Sequence, residues 1–166
     1  MAVVTTKSGP ITNRDSSPRV LNNSNVEGGD VRESVGTLES VSGDSIGSKY
    51  IMCQIPSNAR VSQILLSCDG GNTTAAADIG IYKSTDDGGT VVDADFFASA
   101  QLLTSALANT DVTHESAVFG IEDVEKPLWE ALGLTEDPKI LYDIVATLTA
   151  ASDAADTVSL KAKYAI

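Results

Sequence analysis

The stretch TVSLKAKYAI, residues 157–166, has the clearest strand pattern in the chain. Apolar and polar side chains alternate along it, which is the period of a strand with one face in a core and the other in solvent. The apolar positions are Val158, Leu160, Ala162, Tyr164 and Ile166. The pattern therefore predicts a half-buried antiparallel strand at this end of the chain.

The stretch before it, KILYDIVATLTA (139–150), has the same alternation. Its apolar positions are Ile140, Tyr142, Ile144, Ala146 and Leu148. The six residues between the two stretches, ASDAAD, have a composition typical of a connecting turn. The pattern thus predicts that the two strands form a terminal hairpin.

Shorter strand patterns lie upstream, separated by turn residues. They are VRESVGTLESV (31–41), KYIMCQI (49–55), RVSQILLSC (60–68) and ADIGIYKS (77–84). DADFFASAQLLTSALA (93–108) fits either a helix or a bent strand, and we favour a strand. Seven or eight short strands predict an all-β fold, an antiparallel β-sandwich of jelly-roll type.

One short helix is predicted within EKPLWEALGL (125–134). Pro127 suits the first helical position and Gly133 suits the C-terminal end, which leaves about one and a half turns. Leu128, Trp129 and Leu132 would then share one side. Trp129 has two interpretations: it plugs one end of the sandwich, which we favour, or it anchors an interface.

The first 30 residues follow neither strand nor helix periodicity. After Met1 they offer few large apolar side chains: Val3, Val4, Ile11, Val20, Leu21 and Val26. Burying these would not offset the entropy of ordering 30 residues, so the segment either stays disordered or becomes ordered against a partner. We therefore divide the chain into an extended N-terminal arm, residues 1–30, and a sandwich domain, residues 31–166.

Charge is unevenly distributed along the chain, whose formal net charge is −12. Residues 69–157 contain three Lys or Arg against seventeen Asp or Glu, whereas residues 1–68 contain six of each. An acidic surface repels nucleic acid, so direct nucleic-acid binding is not expected. Residues 1–26 are mildly basic, with Lys7, Arg14 and Arg19 against Asp15. The arm is therefore suited to an acidic partner, including another copy of the chain.

Other features of the sequence indicate a protein that does not act on membranes. No apolar run approaches the roughly 20 residues needed to cross a bilayer. The first residues lack the apolar segment of a secretory signal, which favours folding in a reducing cytoplasm, although a processed mature form would look the same. Cys53 and Cys68 would face each other if their strands formed a hairpin, but buried free thiols are the favoured interpretation.

The sequence contains no catalytic or metal-binding signature, so we expect no enzymatic activity and no cofactor. His114 is the only histidine, and no serine lies in a nucleophile elbow. STDDGGTVVDAD (84–95) places Asp86, Asp87, Asp93 and Asp95 close together, but their spacing does not match a calcium-binding EF-hand loop.

Three stretches resemble structural proteins of tailed bacteriophages that cement or decorate the capsid. They are residues 28–66 (GGDVRESVGTLESV to ARVSQILL), ADIGIYKS (77–84) and, most specifically, KPLWEALGL followed by YDIVATLT, with a last strand ending KAKYAI. The resemblance implies a jelly-roll homo-oligomer, a dimer or trimer, bound outside the major capsid protein lattice. It implies localisation on the capsid exterior of the virion, after assembly in the host cytoplasm.

The family has no catalytic motif to transfer, and its contact residues cannot be carried over one by one. We therefore choose interface candidates from the residues themselves: Arg14, Arg19, Val20, Leu21 and Trp129. Three other functions stay open. One is a carbohydrate-binding jelly-roll module, which the 5% aromatic content disfavours, and another is a different phage structural role in the tail or baseplate. The least favoured is a glycoside hydrolase, whose site would have to be built from Asp and Glu alone.

Overall fold

The computed structural model describes residues 4–166, so the first three residues of the predicted arm lie outside it. Two helices and eight strands form this part of the chain. The helices are α1 (Gly9–Asp15) and α2 (Leu128–Ala131). The strands are β1 (Val31–Glu39), β2 (Lys49–Pro56), β3 (Arg60–Cys68), β4 (Ala76–Lys83), β5 (Val91–Leu102), β6 (Leu107–Asp111), β7 (Leu141–Ala150) and β8 (Thr157–Ala165).

The strands form two four-stranded antiparallel sheets packed face to face. The first sheet has the order β1-β8-β3-β6 and the second has the order β2-β7-β4-β5. Every connection except β4 to β5 passes from one sheet to the other. The all-β sandwich is therefore confirmed. Eight strands in two sheets is also the strand count of a jelly roll, although the jelly-roll type itself stays a prediction.

The core lies between the two sheets and follows the alternation in the sequence. In β8, Val158, Leu160 and Ala162 are almost fully buried, while the polar residues between them are half-buried. In β7, Tyr142, Ile144, Ala146 and Leu148 point into the same core. The period-2 pattern thus identified the inward faces of both strands correctly.

The predicted terminal hairpin is wrong. β7 pairs with β2 and β4 in the second sheet, whereas β8 pairs with β1 and β3 in the first. Residues 151–156 cross between the sheets, which lie roughly 10 Å apart in sandwiches of this kind. Alternation reports which face of a strand is buried, but it does not report whether the next strand joins the same sheet.

Another crossing, from β2 to β3 through residues 57–59, separates the two cysteines. Cys53 lies in the second sheet and Cys68 in the first, so they do not face each other across a hairpin. Both thiols are free and buried, as the favoured interpretation predicted. Burial raises the pKa of the Cys53 thiol to about 12 and also raises that of Cys68.

Residues 93–108 contain most of strand β5, which confirms the strand interpretation, and then the start of β6. β5 pairs with β4 through three register shifts, so it is the bent strand that the sequence allowed. At the closest point, Gly80 of β4 lies directly under the backbone of Asp93 and Ala94, where a side chain would not fit. β6 is a strand of five residues that the sequence did not separate from its neighbour.

The helices differ in part from the prediction. α2 is confirmed and Gly133 ends it with a φ of 75°, but Pro127 is its N-cap, one position earlier than expected. α1 was not predicted at all. Pro10 suits the first turn of this helix. None of its residues is buried, however, so the sequence has no apolar periodicity from which the helix could be predicted. Within residues 4–166, no helix is long and apolar enough to cross a membrane.

Candidate interface

The two ends of the sandwich differ, and we name them by the segments they carry. The arm end is where β1, β3, β5 and β7 begin, and it carries the arm, residues 57–59, 84–90 and 112–140. The loop end is opposite, and it carries residues 40–48, 69–75, 103–106 and 151–156. Loop-end residues include Asp44, Asp69, Asp153 and Asp156 but no Lys, Arg or His. All cationic loops therefore lie at the arm end.

The arm from residue 8 to residue 27 folds back on itself. Asn13 Nδ2 donates to Asn22 Oδ1 (2.9 Å), and Asn22 Nδ2 donates to the carbonyl of Pro10 (3.2 Å). The Val20 amide donates to the carbonyl of Asn13 (3.2 Å). These bonds close a hook, so this part of the arm is not extended as the sequence analysis expected.

The hook touches the sandwich at the arm end. A shallow groove of about 210 Å³ lies between Gly9, Pro10 and Asn22 on one side and Glu125 on the other. Glu125 is in turn held by Arg60, whose Nη1 donates to the Glu125 carbonyl (2.7 Å). The contact is small and polar, which indicates that the hook is docked weakly on its own sandwich.

The two predicted polar anchors, Arg14 and Arg19, have different environments. Arg14 Nε lies 2.8 Å from Asp15 Oδ1, and Lys7 Nζ lies 2.9 Å from Asp15 Oδ2. The hydrogen bond from Arg14 lowers the pKa of Asp15, and the same carboxylate raises the pKa of Arg14. Arg19 is exposed and has no acidic partner among the described residues. Arg19 is therefore the better candidate for pairing with a partner.

The predicted apolar residues of the arm are exposed. Val20 retains 49% of its surface and Leu21 retains 82%. They follow Arg19 directly, so the three side chains form a short basic and apolar segment at the surface. Arg is enriched in protein interfaces, and the exposed apolar side chains beside Arg19 supply area that a partner could bury.

Trp129 does not plug the sandwich as the favoured interpretation expected. Leu128 has that role, because it is only 1% exposed and belongs to the core, while Trp129 is half-buried outside it. Backbone bonds position both residues: the Leu128 amide donates to the Ala59 carbonyl (2.8 Å) and the Trp129 amide to the Ser57 carbonyl (3.0 Å). The structure thus leaves part of the indole available to a partner.

A groove of about 240 Å³ that the sequence did not predict lies at the arm end, and Ser57, which accepts the Trp129 amide bond, is part of its lining. Pro56, Ile140 and Leu141 supply its apolar lining, and Asp137 and Lys139 are its charged residues. The Ser57 hydroxyl and the Lys139 amide both donate hydrogen bonds to the Asp137 carboxylate. These two bonds lower the pKa of Asp137. No spacing in the sequence reveals this groove, because its lining comes from two separate connections.

Other polar groups singled out in the sequence have structural partners. His114 Nδ1 lies 2.8 Å from the Phe119 carbonyl and the imidazole stacks on the Phe119 ring. The acidic residues of 84–95 divide between a 3-10 turn, Thr85–Asp87, and β5. Burial, followed by the neighbouring Asp95, raises the pKa of Asp93. In residues 4–166, no group of three or more His, Cys, Asp or Glu is arranged to hold a metal ion.

Comparison with solved structures gives one informative similarity. The chain is similar to a chain of the cyanophage Pam1 capsid asymmetric unit, with a TM-score of 0.51 at 15% sequence identity. The similarity covers 92% of this chain and 96% of the other, so it includes most of the sandwich. The two chains therefore share a fold. Neither the protein-family models nor the curated proteins give a match.

Proposed function

We propose that this protein is a structural component of a bacteriophage virion, which binds the outside of the capsid and cements neighbouring major capsid protein subunits. The observation that carries the proposal is the fold shared, over nearly the full length of both chains, with a chain of a cyanophage capsid asymmetric unit. The strand and helix stretches that resemble capsid cement proteins point the same way independently. A protein in this role stabilises the shell by binding its assembled form.

The arm end is the side we expect to face the capsid. It carries Arg19, Val20 and Leu21 of the arm and the half-buried Trp129, so charged and apolar groups are exposed together. The charged residues of the loop-end connections are all carboxylates, and exposed apolar residues such as Ile46 lie there without an adjacent cation. Carboxylates are present at both ends of the sandwich, which agrees with the expectation that the protein does not bind packaged nucleic acid.

The protein is proposed to act by binding and without enzymatic catalysis or a cofactor. The reactive groups that the sequence offers are engaged in packing: His114 is stacked against Phe119, and both thiols are buried with raised pKa values. A thiol held in its neutral form is a poor nucleophile. Many copies, each a dimer or trimer, would bind one shell. They would lie on the capsid exterior of the virion, which is assembled in the host cytoplasm.

Co-sedimentation with capsids tests this proposal. The purified chain is mixed with shells assembled from the major capsid protein encoded alongside it, and the bound copies are counted after ultracentrifugation. We expect saturable binding and a shell that resists heat or chelation better when decorated. Binding to sugars on a glycan array, or cryo-EM density confined to the tail or baseplate, would favour the alternative functions.

Two leucine variants test the orientation in the same assay. Leu21→Ala, at the arm end, is expected to weaken shell binding about tenfold or more if it is an anchor residue. Leu102→Ala is the matched control, because Leu102 is 59% exposed and ends β5 at the loop end. Equal loss in both variants, or loss in the control alone, would contradict the orientation but not the capsid role.

A further inference from the structure

We propose that β1 pairs with β1 of a second copy across a two-fold axis, which joins the two first sheets into one continuous sheet of eight strands. The inference does not depend on the capsid role. It starts from the four strands at sheet edges, which are β1 and β6 in the first sheet and β2 and β5 in the second. Each edge strand presents unpaired backbone N–H and C=O groups that can pair with another chain.

Three of these edges carry the features with which proteins protect an edge from such pairing. β6 has only five residues. β2 has a register shift between Ile51 and Cys53, and β5 has three shifts against β4. Short edges and bulges interrupt the row of hydrogen-bonding groups, so a second strand cannot pair along them for more than a few residues.

β1 has neither protection. Its nine residues pair with β8 without a register shift, from Val31 opposite Ala165 to Glu39 opposite Thr157. On its other side, residues 31–39 make no backbone hydrogen bond to any described part of the chain. Two of its outward side chains are also apolar and exposed, with Val31 at 71% and Val35 at 51%.

β2 passes beneath β1 and does not cover its free edge. The inner face of Gly36 lies against the Met52 carbonyl, and the Gln54 amide donates to Ser34 Oγ (3.3 Å). Both contacts are on the core side of β1, because Ser34 and Gly36 alternate with the outward residues Val35 and Thr37. The lateral hydrogen-bonding groups therefore stay accessible.

The second copy is the occupant that β1 itself fits. A two-fold axis at Val35 sets Val35 opposite Val35 of the other copy and Glu33 opposite Thr37, so no like charges meet. An axis at Gly36 would instead set Glu33 opposite Glu39, and an axis at Glu33 would set two carboxylates face to face. Because the same strand serves both copies, pairing closes at a dimer and does not propagate into a filament.

Sedimentation velocity of the full chain over a range of concentrations tests the proposal, with the variant Val35→Glu. Within one copy the new carboxylate faces Lys161, which lies opposite position 35 in β8, so the fold should tolerate it. Across the axis it faces its own counterpart. We expect the dimer dissociation constant to rise about tenfold or more, since like charges at an interface are strongly unfavourable.

Ile51→Glu is the matched control, because Ile51 is 58% exposed on the neighbouring edge strand β2. It should leave the dimer unchanged. If Val35→Glu fails to fold, Val35→Cys tests the proposal instead. Oxidation should then form a disulfide between the two copies at position 35, while the buried native thiols do not react. A wild-type chain that is monomeric throughout, a dimer unaffected by Val35→Glu, or a Val35→Cys variant that does not cross-link would overturn the proposal.

Discussion

Gly36 of β1 lies directly against the backbone carbonyl of Met52 in β2, so close that a β-carbon at position 36 would overlap the carbonyl oxygen. This contact joins the two sheets along one side of the sandwich, where β1 is the edge strand of the first sheet and β2 is the edge strand of the second. The obstacle is backbone and not a movable side chain, so the space cannot be recovered by a change of rotamer.

Gly36→Ala is therefore expected to destabilise the fold by about 2 kcal/mol or more, as overpacked sites do. Urea unfolding followed by circular dichroism measures the change. Gly9→Ala is the control, because its nearest neighbour is the Glu125 carboxylate at 4.0 Å, and it should be close to neutral. A Gly36→Ala variant as stable as the wild type would show that β1 and β2 can separate without cost.

The buried thiol of Cys53 predicts a loss of stability at alkaline pH. Burial raises its folded-state pKa to about 12, while an unfolded cysteine titrates near 8.5. Because the folded pKa is the higher one, the stabilising contribution is complete below about pH 8.5 and is lost as the pH rises towards 12.

Between pH 8 and pH 10.5 this one group should lower the free energy of unfolding by about 2 kcal/mol. Urea midpoints at the two pH values measure it, and Cys53→Ala should show a smaller decline than the wild type. Tyr50, whose pKa is also raised by burial and then by Asp44, will contribute to the decline in both proteins. Identical declines in the variant and the wild type would exclude Cys53 as a source.

Asn72 holds the loop end together. Its Oδ1 accepts hydrogen bonds from Ser152 Oγ (2.8 Å) and from the amides of Asp153 (3.0 Å) and Ala154 (3.1 Å). Its Nδ2 donates to Asp156 Oδ2 (3.3 Å), and the residue is only 3% exposed. One buried amide therefore bonds four of the six residues in the crossing between β7 and β8, to which Ser40 and Thr73 also bond.

Asn72→Ala should cost about 2 to 3 kcal/mol, because several buried partners lose their hydrogen bonds at once. Hydrogen exchange is expected to accelerate first in residues 151–156. The exposed Asn58, in the connection at the arm end, provides a matched control that should change stability little. Unchanged exchange in residues 151–156 would mean that the crossing is held by other contacts.

The arm should be dispensable for folding. Among residues 4–166, the buried core contains none before Tyr50, and no residue of α1 is buried. Removing residues 1–27 is therefore expected to shift the Tm by no more than about 4 °C, the size of a 1 kcal/mol change in a chain of this length. Removing residues 157–166 should unfold the protein, since β8 lies between β1 and β3. A large loss of Tm in the arm deletion would place the arm within the folding unit.

The inward faces of β7 and β8 were predictable residue by residue, because burial in a sheet has a period of two that the side chains record directly. The helix around Trp129 was also predictable, from Pro127 and Gly133. Its orientation was not: Leu128 enters the core and Trp129 stays half outside. The composition of so short a helix does not determine which of two adjacent apolar residues turns inward.

Local patterning was thus sufficient for the fold class, for the strands other than β6 and for the inward residues of β7 and β8, since each depends on neighbours within a few positions. The folded chain alone decided which strands pair, that β7 and β8 belong to different sheets, and that β1 is an unbroken free edge. It also brought Ser57 and Asp137 together to line one groove. These features depend on contacts between residues far apart in the chain, where hydrogen bonding and packing in three dimensions select one arrangement among several that the same local pattern allows.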